Sequence, residues 1–549
     1  MRHVIVGGVA GGMSAATRLR RLDESAEIIV LERSGYVSFA NCGLPYHIGG
    51  VIPERASLLL QTPKSLHDRF ALDIRVKQEA TAIDLAGRTV RVRDRTTGEH
   101  LTVTYDALLL SPGARPVRPP VPGIERAVSL RDIEDLDMII AQTRGRRHAR
   151  SAVVMGGGFI GLEIAENLTR RGIATAIIEA TDQVMTALDP EMASPVHDHL
   201  RANGVELRLR TSVVEIGDAS VVTDDGEEIP AGLVVAATGV RPESDLAKAA
   251  GLLVGERGGI VVDEHFRTSD PHVYAVGDAV EKHDALDGSG TLVSLANTAN
   301  FQGRRAADTM VGGPGRDRPV LGTAIISVFG LQVATTGWNE KRLRATGRAH
   351  RVIHTHPGDH AGYYPGAQSM SLKLVTDAET DGILGAQGVG RSGVDKRIDI
   401  LATAMTAGIT ASGLAELELA YAPQFGSAKD PVNMLGYIAE NLRDSISRSI
   451  QWHELDEAVV AGAAVVDVRT GSERADGSIP GSLLIPVDEL RGRLDEIPPG
   501  PVIVHCAVGL RGHLAARILT QAGWDVRNLD GGYRTWLAGT STRQPQLTP

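Results

Sequence analysis

Cysteine is almost absent from this chain of 549 residues, which contains only Cys42 and Cys506. Two thiols so far apart in sequence exclude a disulfide-stapled scaffold. A chain with so few cysteines fits a reducing compartment, where a retained thiol tends to be either buried or reactive. We therefore expect a cytoplasmic protein.

Long apolar runs are also lacking. No stretch approaches the roughly 20 residues that a helix needs to cross a bilayer, and MRHVIVGGVAGGMSAATRLRR places glycines and arginines where a signal peptide needs an apolar segment. A formal net charge of −10 argues against a nucleic-acid partner. Neither a membrane nor a nucleic acid is expected as partner, and the length indicates about three or four globular domains.

Two segments share a strand, a glycine turn, a helix and a second strand that ends in an acid. The first, HVIVGGVAGGMSAATRLRRLDESAEIIVLER, contains Gly7, Gly12 and Glu32, but has Val9 in the place of the middle glycine. The second, SAVVMGGGFIGLEIAENLTRRGIATAIIEA, has the full motif, in Gly156, Gly158, Gly161 and Glu179. Glycines let the backbone approach a pyrophosphate at a helix N-terminus, and the acid accepts hydrogen bonds from a ribose.

The pattern therefore predicts two bound dinucleotides. The first copy alone would also fit an ordinary glycine turn in an α/β sheet. In the second copy, the carboxylate of Glu179 would repel a 2′-phosphate, so NADH is expected rather than NADPH.

Cys42 lies in SFANCGLPYHIGG, where Gly43 allows a tight turn and Pro45 suits the first turn of a helix. A helix N-terminus would lower the pKa of the thiol and favour the nucleophilic thiolate. With no second cysteine nearby, the sulfur that reacts with Cys42 must come from a small molecule. The alternative is a buried structural cysteine.

Several motifs together resemble the FAD-dependent pyridine nucleotide-disulfide oxidoreductases over residues 1–445. They are the two nested units, the ATG at a strand end and the acid in VYAVGDAVE, while SFANCGLPY resembles the single-cysteine branch. The resemblance implies FAD at Gly7, Gly12, Glu32 and Asp278, and NADH at the second glycine motif and Glu179. It also implies coenzyme A contacts from Arg18, Ser38 and Asn41.

In a homodimer of this branch, two tyrosines of the partner would reach the thiol. The matching motifs are HAGYYPGA and LAYAPQFGSAKDPVN, which indicate Tyr363 and Tyr421, with Tyr364 as a neighbour. A lone tyrosine is more often a half-buried packing residue. Because tyrosines occur in both matching motifs, we expect Tyr363 and Tyr421 to act in catalysis.

Cys506 follows the apolar strand PVIVH and opens the loop CAVGLR. Backbone N–H groups of such a loop converge on an anion, and together with Arg511 they favour a thiolate or a persulfide. With VVDVRTGSER and SIPGSLLIP, this segment resembles a rhodanese domain, which implies sulfur transfer by Cys506 and Arg511. The alternative is an inactive, purely structural rhodanese domain.

The expected fold class is α/β, with two nested Rossmann-like domains, an α+β dimerisation domain and a C-terminal rhodanese domain. No metal site is expected. The predicted domains are FAD-binding at 1–115 and 246–322, NADH-binding at 116–245, dimerisation at 323–445 and rhodanese at 452–545.

The expected function is FAD-dependent, NADH-driven reduction of coenzyme A persulfide, polysulfide or coenzyme A disulfide through Cys42, with sulfane sulfur handled by Cys506. One alternative is an NADH oxidase or peroxidase. Such enzymes resemble this chain but have a histidine in the first glycine loop, where this sequence has Ala10. The other alternative is a redox-sensing sulfur-carrier protein in which turnover is incidental.

Overall fold

The chain forms two compact units in a computed structural model, which describes residues 1–143 and 149–541. The first unit comprises Met1–Ala180 and Gly204–Gly322, and the second comprises Thr181–Asn203 and residues 323–541. Within the described residues, no helix is both long and apolar enough to cross a bilayer.

All strands before residue 323 belong to the first unit, and so do the helices there, except α6. The strands are β1 (Arg2–Val6), β2 (Glu27–Glu32), β3 (Asp73–Val76), β4 (Gln78–Asp84), β5 (Thr89–Asp94), β6 (His100–Thr104), β7 (Ala107–Leu110), β8 (Ala114–Pro116), β9 (Ser151–Met155), β10 (Ala174–Glu179), β11 (Glu206–Leu209), β12 (Val213–Ile216), β13 (Ser220–Thr223), β14 (Glu228–Pro230), β15 (Leu233–Ala236), β16 (Val240–Pro242), β17 (Val273–Ala275), β18 (Lys282–His283) and β19 (Gly290–Thr291). The helices are α1 (Ala10–Leu22), α2 (Leu44–Ile48), α3 (Pro63–Phe70), α4 (Ile133–Thr143), α5 (Phe159–Arg170), α6 (Pro190–Ala202), α7 (Asp245–Ala249) and α8 (Ala296–Met310).

A five-stranded parallel sheet in the order β17-β7-β1-β2-β3 is the centre of the first predicted dinucleotide domain. Its strands are apolar on both faces: Ile5 packs into one core, and Val4 and Val6 pack into another. This is the pattern of a parallel sheet that is covered on both sides. Helix α1 follows β1 directly, so the glycine turn lies at the carboxyl edge of the sheet.

The second predicted dinucleotide domain contains a four-stranded parallel sheet, β11-β10-β9-β15, and a three-stranded antiparallel sheet, β12-β13-β14. Helix α5 follows β9 in the same way that α1 follows β1. Both strand–turn–helix–strand repeats of the sequence are thus present.

The second unit contains the remaining elements. Its further strands are β20 (Ala324–Val328), β21 (Leu331–Gly337), β22 (His350–Thr355), β23 (Met370–Asp377), β24 (Ile383–Gly390), β25 (Ser449–Ile450), β26 (Ala464–Asp467), β27 (Leu483–Leu484), β28 (Val502–His505) and β29 (Val526–Leu529). Its further helices are α9 (Glu340–Thr346), α10 (Val394–Ala407), α11 (Pro431–Arg443), α12 (Leu455–Val460), α13 (Gly471–Ala475), α14 (Leu510–Gln521) and α15 (Gly532–Ser541).

Two sheets organise this unit. The antiparallel sheet β20-β21-β24-β23-β22 packs with α10 and α11 around a core that includes Leu372 and Leu401. The parallel sheet β25-β29-β28-β26-β27 has a core on each face, since Val504 packs on one side and Ile503 on the other. The first sheet has the α+β character expected for the dimerisation domain, and the second has the α/β character expected for the rhodanese domain.

The predicted domain boundaries and the two compact units divide the chain differently at one place. Residues 181–203, which carry α6, lie within the predicted NADH-binding domain at 116–245 but belong to the second unit. There α6 packs against α15 of the rhodanese-like region, and Ser194 Oγ lies 2.8 Å from Ser541 Oγ. Residues 144–148 of the predicted NADH-binding domain and 542–545 of the predicted rhodanese domain lie outside the described residues.

Candidate active site

The first glycine loop joins β1 to α1. Gly7 has a φ of +104°, and a Cβ atom there would lie 2.1 Å from the carbonyl oxygen of Ser111. A Cβ atom on Gly12 would lie 1.9 Å from the carbonyl oxygen of Gly7. Glu32, at the end of β2, is buried and accepts a hydrogen bond of 2.7 Å from the N–H of Gly8. The acid thus fixes the loop, and burial raises the pKa of its carboxyl.

The second glycine loop, between β9 and α5, repeats this arrangement. Gly156 has a φ of +102°, and a Cβ atom on Gly161 would lie 2.0 Å from the Gly156 carbonyl oxygen. Glu179, at the end of β10, accepts a hydrogen bond of 2.7 Å from the N–H of Gly157. Among the described residues, nothing lies within 4 Å of the Cβ position of Gly158. The start of α5 therefore has the open space that a pyrophosphate needs.

Asp278 lies in a 3-10 turn, Gly277–Ala279, after β17. Its Oδ1 atom is buried and has no hydrogen-bond partner among the described residues. Burial raises the pKa of this carboxyl, and Lys282 and Arg131 oppose the shift. A buried acceptor without a donor fits a hydroxyl-rich ligand. With the two glycine loops, it makes the residues present suitable for FAD and a nicotinamide dinucleotide.

Cys42 lies in a 3-10 turn, Asn41–Gly43, that leads directly into α2 (Leu44–Ile48). The residue is exposed, so the alternative of a buried structural cysteine does not hold. The predicted lowering of its pKa is wrong. Desolvation by the surrounding protein raises the pKa of the thiol, and the carboxylates of Glu163 and Asp278 add to the effect. Helix α2 has only five residues, and its dipole does not outweigh desolvation and two acids.

Glu163 is a site residue that no sequence motif indicates. It lies on α5, and its Oε1 accepts a hydrogen bond of 2.9 Å from the hydroxyl of Tyr46 on α2. Burial raises the pKa of Glu163, while the bond from Tyr46 opposes that rise. In the sequence Glu163 is an ordinary helical acid; only the packing of α2 on α5 brings it near Cys42.

The three predicted coenzyme A contacts have different surroundings. Arg18 on α1 forms an ion pair of 2.7 Å with Asp308 on α8, so its charge is already partly compensated. Ser38 has a left-handed backbone, with a φ of +47°, and its N–H donates to the Gly8 carbonyl oxygen at 2.8 Å. Asn41 is exposed and directly precedes Cys42. Ser38 thus ties the segment before Cys42 to the first glycine loop, and the roles of all three as ligand contacts remain predictions.

The two predicted tyrosines are neighbours in the second unit. The hydroxyl oxygens of Tyr363 and Tyr421 lie 2.9 Å apart, although 58 positions separate the residues in sequence. Their side chains are 76% and 48% exposed, which leaves them available to another molecule. The hydrogen bond to Tyr421 raises the pKa of Tyr363. Tyr364 instead packs edge-on against His360, with ring centroids 5.8 Å apart.

The Cys506 loop joins β28 to α14. The Cys506 Sγ atom accepts a hydrogen bond of 3.2 Å from the N–H of Gly509, as expected for a loop that stabilises an anion at sulfur. The N–H of Tyr533 donates to the Cys506 carbonyl oxygen at 2.8 Å. A Cβ atom on Gly532 would lie 2.5 Å from the same oxygen. The loop is therefore held in one conformation, with Cys506 fully buried at its base.

Arg511, at the end of this loop, forms an ion pair with Glu473. Its two terminal nitrogens donate to the two carboxylate oxygens of Glu473, at 2.8 and 2.6 Å. Glu473 lies on α13, in the segment GSERA. The spacing of the loop residues gave no signal for this pair, because 38 positions separate the two residues.

A buried cluster of three acids in the second unit has the geometry of a cation site: Asp189, Glu191 and Glu340. The Nζ atom of Lys373 lies 2.9, 2.5 and 2.6 Å from their carboxylates, respectively. This ammonium group lies among the three acids and supplies part of the positive charge that they require, and His354 contacts Glu191 at 3.0 Å as well. The cluster is thus an internal ion-pair network.

Three family models match the chain. Residues 1–303 match the pyridine nucleotide-disulphide oxidoreductases, residues 323–431 match the dimerisation domain of that family, and residues 451–539 match the rhodanese-like domain. A coenzyme A disulfide reductase of Staphylococcus haemolyticus is 33% identical over 440 residues, which cover 80% of this chain and 99% of the relative.

Two solved structures are similar over almost the full length. Reduced CoADR-RHD from Bacillus anthracis has a TM-score of 0.97 and 47% identity, covering 99% of this chain and 98% of that chain. An NAD-dependent persulfide reductase from A. fulgidus has a TM-score of 0.92 and 40% identity, covering 98% and 100%.

The chain therefore belongs to the pyridine nucleotide-disulphide oxidoreductase family, and it carries a C-terminal rhodanese-like domain. The predicted family and fold class are confirmed, as is the prediction that the chain is an oxidoreductase. Family membership implies FAD and a pyridine nucleotide as cofactors.

Proposed function

We propose that this protein is a cytoplasmic, homodimeric, NADH-dependent flavoprotein that reduces coenzyme A persulfide, polysulfide or coenzyme A disulfide through Cys42, with sulfane sulfur handled at Cys506. One observation carries the proposal: the chain has one exposed thiol in the oxidoreductase region and one buried thiol in a preorganised rhodanese-like loop. A single thiol must take its partner sulfur from a substrate. The names of the relatives, coenzyme A disulfide reductase and persulfide reductase, point to the same chemistry.

Different residues of the chain bind the cofactors and react with the substrate. The glycine loops and the acids Glu32 and Glu179 hold the two dinucleotides, with Asp278 as a further acceptor. Bound FAD supplies the transfer of electrons from NADH to sulfur. Cys42 attacks one sulfur of the substrate S–S bond, and that bond breaks to release the other sulfur as a thiolate or a sulfide.

The hydroxyl pair of Tyr363 and Tyr421 suits the departing sulfur. A phenol within hydrogen-bond reach can donate a proton to a leaving thiolate, and each hydroxyl of this pair can be held by the other. In the proposed homodimer, the tyrosines of one subunit serve the Cys42 of its partner. The match of residues 323–431 to a dimerisation domain supports this assembly.

The raised pKa of Cys42 has a consequence for its chemistry. Desolvation, Glu163 and Asp278 keep the thiol protonated to a higher pH than usual. A protonated resting thiol is a poorer nucleophile. The protein groups around Cys42 therefore do not by themselves activate this thiol.

Anaerobic turnover tests the proposal. NADH oxidation is followed with coenzyme A disulfide, coenzyme A persulfide or polysulfide as acceptor, and separately with oxygen. Cys42→Ser should keep FAD and its reduction by NADH, but lose turnover with every sulfur acceptor. Cys506→Ser should impair persulfide or polysulfide turnover and spare coenzyme A disulfide, whose S–S bond can meet Cys42 directly.

Other outcomes would favour the rival functions. Rapid NADH consumption with oxygen alone would support an NADH oxidase, against which Ala10 in the first glycine loop argues. Flavin reduction without turnover on any sulfur acceptor would support a redox sensor. Undiminished turnover in Cys42→Ser would contradict the proposed role of this thiol.

A further inference from the structure

The ion pair between Arg511 and Glu473 determines how much positive charge the Cys506 loop presents. A guanidinium group that donates two parallel hydrogen bonds to one carboxylate is held in a fixed orientation and has its charge compensated. Here both terminal nitrogens are engaged, at 2.8 and 2.6 Å. Both side chains are about one-third exposed, so the pair lies at the surface beside the buried Cys506.

Glu473 is fixed from its own side as well. The N–H of Thr470 donates to Glu473 Oε2 at 3.0 Å, and the N–H of Glu473 donates back to Thr470 Oγ1 at 3.3 Å, which forms a capping box. The bond from Arg511 lowers the pKa of Glu473 to about 2. The carboxylate therefore carries its negative charge throughout the pH range of an enzyme assay.

Two other basic groups near the loop add little charge. Arg469 is buried and paired with Asp467, with a closest distance of 2.7 Å. His505, which precedes Cys506, is buried, and burial lowers its pKa to about 4, so it is neutral at pH 7. Arg511 is different, because its pKa is raised by Glu473 and then by the nearby Cys506.

We propose that Glu473 is a specificity-determining residue of the Cys506 loop: by compensating Arg511 it favours organic persulfides over thiosulfate as sulfur donors. Thiosulfate brings two negative charges to the loop, whereas the transferable end of an organic persulfide brings at most one. A loop with a full cation would attract the dianion more strongly. The inference rests on the proposed sulfur handling at Cys506 and names the substrate class for that site.

Sulfur transfer from a persulfide and sulfur transfer from thiosulfate differ in the charge of the donor. In both cases, one S–S bond forms and one sulfur–sulfur bond breaks. With a persulfide, the Cys506 thiolate attacks the outer sulfur of R–S–SH, the R–S to sulfur bond breaks, and R–S⁻ leaves while Cys506–S–SH forms. With thiosulfate, the same attack forms Cys506–S–S⁻ and sulfite leaves with both negative charges. Neither transfer needs an external oxidant or reductant.

The test is the sulfur loading of Cys506 in the full-length holoenzyme, with Cys42→Ser present throughout so that Cys506 is the single thiol. Intact mass spectrometry measures the rate at which the chain gains one sulfur from thiosulfate or from glutathione persulfide. In Glu473→Gln, the loading rate constant for thiosulfate should rise at least tenfold, and that for glutathione persulfide should change by less than threefold. Gln retains the capping box because it also serves at this position.

A matched control removes a carboxylate from another arginine of the same domain. Glu489 pairs with Arg493 at 2.7 Å, and Glu489→Gln should leave both loading rates unchanged. Arg511→Gln leaves Glu473 uncompensated, so the ratio of thiosulfate to persulfide loading should fall, opposite to its rise in Glu473→Gln. In the double variant Glu473→Gln, Arg511→Gln, the increase in the thiosulfate loading rate that Glu473→Gln causes alone should disappear.

The outcomes separate this inference from the function on which it rests. If the protein with Arg511 and Glu473 intact loads Cys506 from neither donor, the proposed sulfur handling is overturned, and this inference with it. If it loads sulfur but the ratio does not move in Glu473→Gln, only the role of Glu473 is wrong. If Glu473→Gln does not fold, Arg511→Gln provides the test. An unchanged ratio of thiosulfate to persulfide loading in that variant would overturn the proposed role of Glu473.

Discussion

The imidazole Nδ1 of His354 lies 2.6 Å from Oδ2 of Asp530, and both side chains are buried. The backbone N–H of His354 donates to the same carboxylate oxygen at 3.0 Å. His354 is on β22 of the dimerisation domain, while Asp530 follows β29 of the rhodanese-like domain. Gly531 comes next and packs closely, since a Cβ atom there would lie 2.8 Å from that of His354. A buried ion pair thus connects the dimerisation domain with the rhodanese-like domain. Asp530 is only two residues before Gly532, which supports the Cys506 loop.

The charges around His354 set its protonation. On the side opposite Asp530, its Nε2 lies 3.0 Å from Glu191, which also binds the ammonium of Lys373 at 2.5 Å. Burial lowers the pKa of His354, but Asp530 and Glu191 outweigh burial and the opposing charge of Lys373, and raise the pKa to about 9. At neutral pH His354 is therefore an imidazolium between two carboxylates.

We predict that the rhodanese-like domain loses stability at alkaline pH. A group whose pKa is higher in the folded state stabilises that state fully below its unfolded pKa of 6.5, and this contribution is lost as the pH rises through about 9. The slope approaches about 1.4 kcal/mol per pH unit for one proton. Urea unfolding of the full chain can be followed by tryptophan fluorescence, because three of the four tryptophans, Trp452, Trp524 and Trp536, lie in this domain. His354→Gln should abolish the slope.

His356, two positions further along the chain, is the matched control. Its ring nitrogens contact neutral hydroxyls, those of Ser371 at 2.9 Å and Thr535 at 2.8 Å. Burial, followed by Arg534 and His354, holds the pKa of His356 well below its usual range. Its contribution is therefore lost as the pH falls below 6.5, and His356→Gln should remove an acid slope while the alkaline slope remains. If both variants removed the same slope, the assignment of charges would be wrong.

The choice of nucleotide depends on Glu179. Its carboxylate accepts a hydrogen bond of 2.7 Å from the N–H of Gly157, in the glycine loop of the predicted NADH site, and would repel a 2′-phosphate. We expect kcat/KM for NADH to exceed that for NADPH by at least tenfold, and Glu179→Gln to narrow the ratio, mainly through better use of NADPH. Stopped-flow reduction of the flavin measures both. Glu206→Gln, on the adjacent β11, should leave the ratio unchanged, and an unchanged ratio in Glu179→Gln would assign the choice to another residue.

The tyrosine pair predicts a selective loss. Tyr363→Phe or Tyr421→Phe removes one hydroxyl of the 2.9 Å pair and should slow coenzyme A disulfide reduction by about 10²-fold, the lower end of what a positioned proton donor contributes. Flavin reduction by NADH should not change, because it precedes the thiol chemistry. Tyr364→Phe is the matched control and should be silent in both assays. Equal slowing of the two steps would indicate that the tyrosines support the fold instead.

Local signals explain which features could be predicted from the sequence. The glycine loops depend on close backbone contacts within about 30 residues, such as Gly12 against Gly7, so their spacing is visible in the chain. The Cys506 loop is equally local. The family resemblance indicates Tyr363 and Tyr421 as candidates that reach the thiol of the partner subunit. Their contact with each other at 2.9 Å has no signal in the sequence, because 58 positions separate them.

The features that could not be predicted all depend on distant parts of the chain. Glu163 approaches Cys42 only because α5 packs on α2, and Glu473 meets Arg511 across 38 positions. The predicted lowering of the Cys42 pKa is wrong for the same reason. A helix start is recognisable in sequence, whereas desolvation and nearby acids arise from tertiary packing.

Glu163 gives the most direct test of how the fold controls Cys42. Since its carboxylate contributes to the raised pKa of the thiol, Glu163→Gln should lower that pKa and increase the fraction of thiolate at pH 8. Cys506→Ser is included so that Cys42 is the only thiol, and the rate of alkylation by iodoacetamide is measured against pH in the flavin-bound protein. Glu166→Gln removes a buried acid of the same helix that pairs with Arg170 at 2.9 Å, and should shift the profile less. A folded Glu163→Gln variant with the original alkylation profile would show that Glu163 does not contribute to the raised pKa of Cys42.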